Sequence, residues 1–219
     1  MVVPSLHAFA SHNWGMDAVT HARAKRVVEA LRQAHGLFVW FDEDDMRGDI
    51  VDDMTKGIDM SDCMIVFVTS AYMKKAASGD RRDNVRLEFS YAASTMGAHR
   101  FIAVRFDPDL PRRWTGPVGA ALGNALYVDM SFLAASEALD GPQDAARFAV
   151  AVAALRQKIC DCGPRGRKAL DVAVGRARAV RALASAYGVP VASAPKGASP
   201  GSRKLTSVAS EPALPSTPH

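Results

Sequence analysis

The chain has 219 residues, of which 48% are hydrophobic and 23% charged, and its formal net charge is +4. This size fits one globular domain with an appendage. No apolar run reaches the roughly 18 residues that a membrane-spanning helix needs, and the first residues lack the basic start and long apolar stretch of a secretory signal peptide.

The positive charge is concentrated at the C-terminal end. From Pro164 onward there are nine Lys and Arg residues against two acidic ones, which leaves the preceding part with a net charge of −3. The basic pI therefore describes the tail and not the domain, and we do not expect nucleic-acid binding. The competing interpretation is that the Arg-rich segment 165–181 binds nucleic acid or an anionic membrane surface.

The cysteines indicate a reducing compartment. Cys63, Cys160 and Cys162 are too few and too clustered for a disulfide framework, so we expect a cytoplasmic protein. A metal site built from cysteines usually needs a second ligand pair, and the Cys160-Asp-Cys162 motif has none. We therefore predict no metal site there.

Strand-like and helix-like segments alternate along the first 160 residues. Apolar runs predict strands at 7–11, 37–41, 63–69, 100–106 and 125–130. Apolar residues at helical spacing predict helices at 16–36, 49–60, 83–97 and 145–159. This alternation predicts an α/β fold: a flavodoxin-like, doubly wound, five-stranded parallel sheet with helices on both faces.

The same spacing predicts which helix faces are buried and where helices end. The expected inward-facing residues, helix by helix, are Val19, Val27, Val28 and Leu31; Ile50, Met54 and Ile58; and Val85, Phe89, Ala92 and Met96. Gly36 and Gly97 are expected to end their helices, and Asp83 or Asn84 to cap the third predicted helix.

The composition changes after the predicted domain, which spans residues 5–160. Residues 161–187 are rich in Ala and Arg and predict a basic helix. Residues 188–219 are rich in Pro, Ser, Ala and Gly and have few large apolar side chains, which predicts a disordered tail.

The acidic run Asp42-Glu43-Asp44-Asp45 follows the second predicted strand, where a parallel sheet places its ligands. Such a run could hold a divalent cation, as in phosphoacceptor receiver domains of the same fold. A receiver would also need acidic residues after the first strand, where Ser11 and His12 stand. A solvated loop whose later acids favour the next helix N-terminus explains the run better, and we predict no metal.

Glu88 is the acidic residue of most interest. It lies near the boundary of the predicted apolar face that contains Val85 and Phe89, early in the third predicted helix. A carboxylate in that place can point into the groove above the carboxyl ends of the strands. The alternative is an ordinary solvated helix residue.

Four segments taken together resemble a TIR domain over about residues 5–160. They are HAFASHNWG (7–15), WFDEDDMRGDI (40–50), GIDMSDCMIVFVTSAYMKK (57–75) and DNVRLEFSYA (83–92). Their order, spacing and loop chemistry agree jointly, which is more specific than any single match. The second segment corresponds to the BB loop of that family.

The resemblance implies one of two functions. Many TIR domains are scaffolds that recruit partners through TIR–TIR contacts, and a large subset cleaves NAD+ at the nicotinamide–ribose bond when self-associated. In that subset one glutamate is essential, and it matches Glu88 here. We favour the NAD+-cleaving type, a hydrolase or cyclase that uses NAD+ as substrate and needs no cofactor. The alternative is the non-enzymatic scaffold, with further copies of the chain or other TIR domains as partners.

The resemblance and the strand-end positions together give the remaining site residues. The predicted NAD+ contacts are Phe9, Ser11, His12, Trp14, Trp40, Asp42, Ser70 and Tyr72. Among them, the candidates for an aromatic platform under the nicotinamide or adenine ring are Trp14, Phe9, Trp40 and Tyr72. The predicted assembly residues of the BB loop are Asp44, Asp45, Met46, Arg47, Gly48, Asp49 and Ile50.

A single carboxylate suffices for this chemistry. Nicotinamide in NAD+ is a cationic leaving group that departs neutral, so no general acid has to protonate it, unlike in ordinary glycoside hydrolysis. The remaining task is to stabilise an oxocarbenium-like ribose and to orient it.

Overall fold

The structure, a computed structural model, describes residues 6–13, 18–42, 49–134 and 141–163. Its centre is a five-stranded sheet made of β1 (Leu6–Ser11), β2 (Val39–Trp40), β3 (Ser61–Val68), β4 (Phe101–Arg105) and β5 (Val128–Asp129). All neighbouring strands are parallel, in the order β2-β1-β3-β4-β5. This is the flavodoxin-like order, so the predicted fold class is confirmed.

The helices, in chain order, are α1 (Ala18–His35), α2 (Ile50–Asp59), α3 (Ser70–Ala76), α4 (Asn84–Thr95), α5 (Gly116–Leu122) and, after the last strand, α6 (Pro142–Cys162). The four predicted helices correspond to α1, α2, α4 and α6. The sequence analysis did not predict α3 and α5, which have seven residues each. Two short 3-10 helices lie at Ala98–Arg100 and Ser131–Ala134.

The helices cover both faces of the sheet, as predicted, and side chains of each strand alternate between two cores. One core places Ala8, Ala10 and Ile65 of the strands against α1 and α6. The other places Phe9 and Met64 against α2, α3, α4 and α5. The strand β3 is buried along its whole length because it contributes to both cores.

Most of the predicted helix faces are confirmed; Val19 and Met96 are only partly buried, and one position is exposed. Val27, Val28 and Leu31 of α1 are fully buried, as are Met54 and Ile58 of α2 and Val85, Phe89 and Ala92 of α4. Ile50 was expected to be buried and is 48% exposed. It is the first residue of α2, one full turn before Met54, and the helix reaches the core only from Met54 onward.

The predicted helix ends are also confirmed. Asp83 caps α4, and its carboxylate accepts hydrogen bonds from the amides of Val85 and Arg86. Gly36 (φ 65°) and Gly97 (φ 80°) follow α1 and α4 in the left-handed conformation that ends a helix with little steric cost in glycine.

The edge strands are shorter than predicted. Only Val39 and Trp40 of the segment 37–41 form β2, although His7 N donates to Phe38 O at 2.8 Å just before it. At the opposite edge, β5 contains two residues, and Met130 N donates to Arg105 O at 2.9 Å beyond its end. The pairing therefore continues as single hydrogen bonds where the regular strands have ended.

The helix α6 continues to Cys162, two residues past the predicted end of the domain. The predicted basic helix (161–187) falls almost entirely, and the predicted disordered tail (188–219) entirely, outside the described residues. Among the helices that the structure describes, none is long and apolar enough to cross a membrane.

Candidate functional site

The candidate site lies at the carboxyl edge of the sheet. Since all five strands are parallel, the residues that end them or follow them share this edge, including Ser11 at the end of β1, Asp42 after β2 and Ser70 after β3. Ser11 is 1% exposed and Asp42 5% exposed, so polar groups are buried where a flavodoxin-like sheet binds its ligands.

Glu88 belongs to the buried face of α4 and not to its boundary. It lies three residues after Val85 and four before Ala92, which are both buried, so all three share one side of the helix. Its side chain is 7% exposed. The solvated-helix interpretation of Glu88 is therefore wrong.

A hydrogen-bonded chain connects Glu88 to two elements of the sheet edge. Ser11 Oγ lies 2.5 Å from Glu88 Oε2 and donates to it. The same Oγ lies 2.9 Å from the hydroxyl of Tyr72, which belongs to α3 and is fully buried. Three of the predicted site residues, separated by 61 and 77 positions along the sequence, are thereby brought together.

The surroundings of Glu88 favour its neutral form. Burial raises the pKa of Glu88 to about 8, the hydrogen bond from Ser11 acts in the opposite direction, and the nearby carboxylates of Asp42 and Asp83 raise the pKa further. Burial, followed by the negative charge of Glu88, raises the pKa of Tyr72. A carboxyl group with a pKa near neutrality is typical of catalytic positions.

A second polar cluster lies on the opposite side of β1, where α1 packs. His12 Nε2 is 2.8 Å from His21 Nδ1, and His12 Nδ1 is 3.8 Å from Asp42 Oδ2. The ring of His12 stacks on Phe41 with centroids 5.1 Å apart. Burial, and then the proximity of His21, lowers the pKa of His12 to about 3, so its imidazole is neutral at physiological pH. The structure thus brings His12 and Asp42 together and adds His21.

The described aromatic platforms are part of the core. Phe9 is fully buried and stacks on Trp40 with centroids 4.3 Å apart. The indole of Trp40 also packs over Gly57, where a Cβ atom would lie 2.8 Å from its Nε1. That Phe9 and Trp40 contact NAD+ stays a prediction. Trp14, the first choice of platform, lies outside the described residues.

Ser70 is held by a different partner. Its hydroxyl donates to Asp107 Oδ2 at 2.8 Å, and its amide donates to the same oxygen at 3.2 Å. This carboxylate follows β4, and its hydrogen bonds to Ser70 hold the first residue of α3. A contact between Ser70 and NAD+ stays a prediction.

Two of the seven predicted BB-loop residues are described. Asp49 caps α2, and its Oδ1 accepts from the amides of Val51 (2.9 Å) and Asp52 (3.2 Å). Ile50 and Val51 are 48% and 47% exposed, so the first turn of α2 presents apolar surface beside the loop. Asp44, Asp45, Met46, Arg47 and Gly48 lie outside the described residues.

Two polar residues of this edge were not assigned by the sequence analysis. His21 lies on the partly buried face of α1, and only the fold shows that it meets His12. Asn13, two residues after Ser11, is 4% exposed, and its Oδ1 is buried without a hydrogen-bond partner. An amide oxygen in this state typically costs about 1–3 kcal/mol, which a bound ligand or water would recover. The feature of the sequence that could have identified Asn13 is its position just after the first predicted strand.

A cavity of about 600 Å³ lies elsewhere, between Arg113 and Asn124, and is lined in part by Trp114, Gly116 and Gly119. None of the predicted NAD+ contacts that the structure describes lines it. The glycine-rich segment 116–123, which has no dinucleotide-binding spacing, forms α5 there.

Comparison with known proteins identifies one family. A family model described as TIR domain matches residues 9–141, which cover β1 to the region just before α6. Searches of curated proteins and of solved structures found no significant match.

Proposed function

This chain belongs to the TIR domain family of signalling modules, and we propose that it cleaves NAD+ at the nicotinamide–ribose bond with Glu88 as the catalytic carboxylate. The observation that carries the proposal is the chain of hydrogen bonds from Tyr72 through Ser11 to Glu88. It fixes a buried carboxyl group at the sheet edge where flavodoxin-like folds bind ligands.

The proposed step breaks the bond between the nicotinamide nitrogen and C1′ of the ribose. The bonding pair leaves with nicotinamide, which becomes neutral, and positive charge develops on the ribose. The ionised carboxylate of Glu88 stabilises that charge and orients the ribose hydroxyls, and Ser11 holds the carboxylate by one oxygen. Attack by water then gives ADP-ribose and a proton, and attack by a group of the same nucleotide gives a cyclic product.

Burial suits Glu88 to this role. A carboxylate removed from water interacts more strongly with a developing cation than a solvated one does. The same burial leaves only 7% of the side chain exposed, so the substrate needs the sheet edge to open. We propose that self-association opens this edge, and that the NAD+-cleaving activity therefore depends on self-association.

The other parts of the proposal follow from the family and from the site. The substrate is NAD+, no further cofactor is required, and the partners are further copies of the chain and other TIR domains. We place the protein in the cytoplasm, in accord with three cysteines that are all free thiols in the structure.

The test is incubation of the purified full chain with NAD+ at high protein concentration, with nicotinamide followed by chromatography. The wild type should release nicotinamide, and Glu88→Gln should reduce the rate by at least about 100-fold because a neutral amide cannot stabilise the ribose cation. Glu29→Gln, which changes an exposed glutamate of α1, is the matched control and should keep the wild-type rate. No release from the wild type would refute the enzymatic function, and equal release from Glu88→Gln would refute the site.

The second candidate function is a scaffold that acts through TIR–TIR contacts. The exposed apolar residues Ile50 and Val51 beside the BB loop favour it, because exposed apolar surface is typical of protein-binding sites. Val51→Asp should reduce self-association measured by analytical ultracentrifugation. Val150→Asp, at a residue of α6 that is 71% exposed, is the control. A scaffold without activity would assemble through Val51 and release no nicotinamide.

A further inference from the structure

His12 and Asp42, which were predicted as NAD+ contacts, form a group of potential metal ligands with His21, and the proposed bond cleavage assigns no chemical role to any of the three. They come from three places in the chain: the residue after β1, the first half of α1 and the end of the β2 segment. One ligand atom of each residue lies within 4.8 Å of the ligand atoms of the other two. His12 and Asp42 are 3% and 5% exposed, and His21 is partly buried.

The donor atoms and their spacing suit a zinc-type ion. Two imidazole nitrogens and one carboxylate oxygen are a common ligand set of such ions. With metal–ligand bonds of about 2.0–2.2 Å, tetrahedral ligand atoms are about 3.3 Å apart. The present separation of His12 Nε2 from His21 Nδ1 is 2.8 Å. A metal bound by His12 Nε2 would therefore widen this pair by about half an ångström. Asp42 Oδ2, which now lies 3.8 Å from the other ring nitrogen of His12, would have to move toward Nε2 to join them.

The charge and packing of the cluster also favour a cation. A buried carboxylate is stable in a folded protein when a cation and hydrogen bonds compensate it. The stacking of His12 and Phe41 fixes one ligand ring before any ion binds. A preorganised ring lowers the ordering cost of binding.

We propose that His12, His21 and Asp42 bind one divalent transition-metal ion of the zinc class, which ties the end of β1 to α1 and to the end of β2. Three protein ligands leave a fourth position for water or a further ligand. The ion has a positioning role toward the candidate site, because His12 comes directly after Ser11, whose hydroxyl donates a hydrogen bond to Glu88. The sequence analysis assigned no metal ligands, since the meeting of His12 with His21 depends on the packing of α1.

The experiment measures metal binding by the full chain without NAD+. After treatment with a chelator, the protein is titrated with Zn²⁺ by calorimetry and with Co²⁺ by visible absorption. We expect one equivalent to bind, with the intense d–d bands of tetrahedral Co²⁺. His21→Ala should lower the affinity by more than the roughly 10–100-fold that loss of an outer-shell partner costs. His35→Ala, which removes a histidine at the end of the same helix, is the matched control.

Several results would overturn the proposal. They are the absence of Zn²⁺ and Co²⁺ binding, equal affinity in the His21→Ala and His35→Ala variants, and Co²⁺–thiolate charge-transfer bands that would place the ion at cysteines. Circular dichroism checks that His21→Ala folds, and His21→Gln replaces it if it does not. Because binding is measured without NAD+, its outcome is independent of whether the chain releases nicotinamide.

Discussion

Ser11 Oγ and Glu88 Oε2 are 2.5 Å apart, so a hydroxyl at the end of β1 donates a hydrogen bond directly to the carboxyl group on α4. The same hydroxyl meets Tyr72 at 2.9 Å. Ser11 thus connects the hydroxyl of Tyr72 to the carboxyl group of Glu88, and its removal should affect the proposed reaction more than the removal of the Tyr72 hydroxyl.

The first prediction concerns this hydroxyl. Ser11→Ala should lower kcat/KM for nicotinamide release by roughly tenfold or more, since a hydrogen bond to a charged group is worth about 1.5–3 kcal/mol. Tyr72→Phe removes a neutral hydrogen bond and should cost less, about threefold to tenfold. A larger loss of kcat/KM in Ser11→Ala than in Tyr72→Phe would support the arrangement in which Ser11, and not Tyr72, donates to Glu88.

Ser94→Ala provides the control for both variants. Ser94 lies on the exposed side of α4, where its hydroxyl donates to Tyr91 O, and its loss should leave kcat/KM unchanged. A Ser11→Ala enzyme with the wild-type rate would contradict the role of Ser11. Unfolding midpoints in urea separate a local effect from a loss of fold.

The second prediction concerns the pH dependence of activity. The proposed reaction needs the carboxylate form of Glu88, and burial raises the pKa of this group to about 8. Below that pH, kcat/KM should therefore rise about tenfold per pH unit and level off above it, because kcat/KM reports ionisation of the free enzyme. In Ser11→Ala the midpoint should move to higher pH, since the Ser11 hydrogen bond lowers the pKa of Glu88. A flat profile between about pH 6 and pH 8 would exclude a carboxylate with a raised pKa as the catalytic group.

The fold could be predicted from the sequence where the apolar pattern is long. The segments that became β1, β3 and β4 are apolar runs, and their strands form the middle of the sheet. The helices α3 and α5 were missed because seven residues give less than two full repeats of a helical pattern. Ile50 was misplaced because helical spacing identifies a face but not the point along the helix at which that face leaves the core.

The site was predictable one residue at a time but not as an arrangement. Glu88 and Ser11 were identified from the family resemblance and from strand ends, and the structure shows that they touch. The pairing of His12 with His21 could not be predicted, because it depends on the packing of α1 beside β1 and on side-chain orientation. Neither is encoded in local spacing.

The third prediction concerns stability. The pKa of Glu88 is raised to about 8 in the folded chain from an ordinary value of 4.5. Between these values the unfolded chain has released the proton that the folded chain still holds. The contribution of Glu88 to the free energy of unfolding should therefore be highest below about pH 4.5 and decline toward pH 8, by on the order of 5 kcal/mol in total.

Glu88→Gln removes this titration and should flatten the dependence. Relative to the wild type, the variant should gain stability as the pH rises from about 5 to about 8. Urea denaturation followed by circular dichroism at several pH values measures the difference. Glu29→Gln, at an exposed position of α1, should keep the wild-type slope. Parallel curves for the wild type and Glu88→Gln would show that Glu88 keeps an ordinary pKa in the folded chain.

The fourth prediction concerns the thiols. Cys63 of β3 and Cys162 at the end of α6 are close enough for each to affect the pKa of the other, and the thiol of Cys63 donates to His7 O at 3.4 Å. The neighbouring Cys63 lowers the pKa of Cys162, and Lys158 and Arg100 lower it further, against the opposing effect of burial. The neighbouring Cys162, together with burial, raises the pKa of Cys63, and burial raises that of Cys160. Cys162 is also the only one of the three thiols that is not fully buried.

Cys162 should therefore react first with N-ethylmaleimide under native conditions, at least about tenfold faster than the other two, because the thiolate is the nucleophile. Peptide mapping by mass spectrometry identifies the modified residue. In Cys162→Ser the native chain should be nearly unreactive, and in urea all remaining thiols should react at similar rates. Faster modification of Cys160 or Cys63 in the native wild type would show that the surroundings of Cys162 do not favour its thiolate.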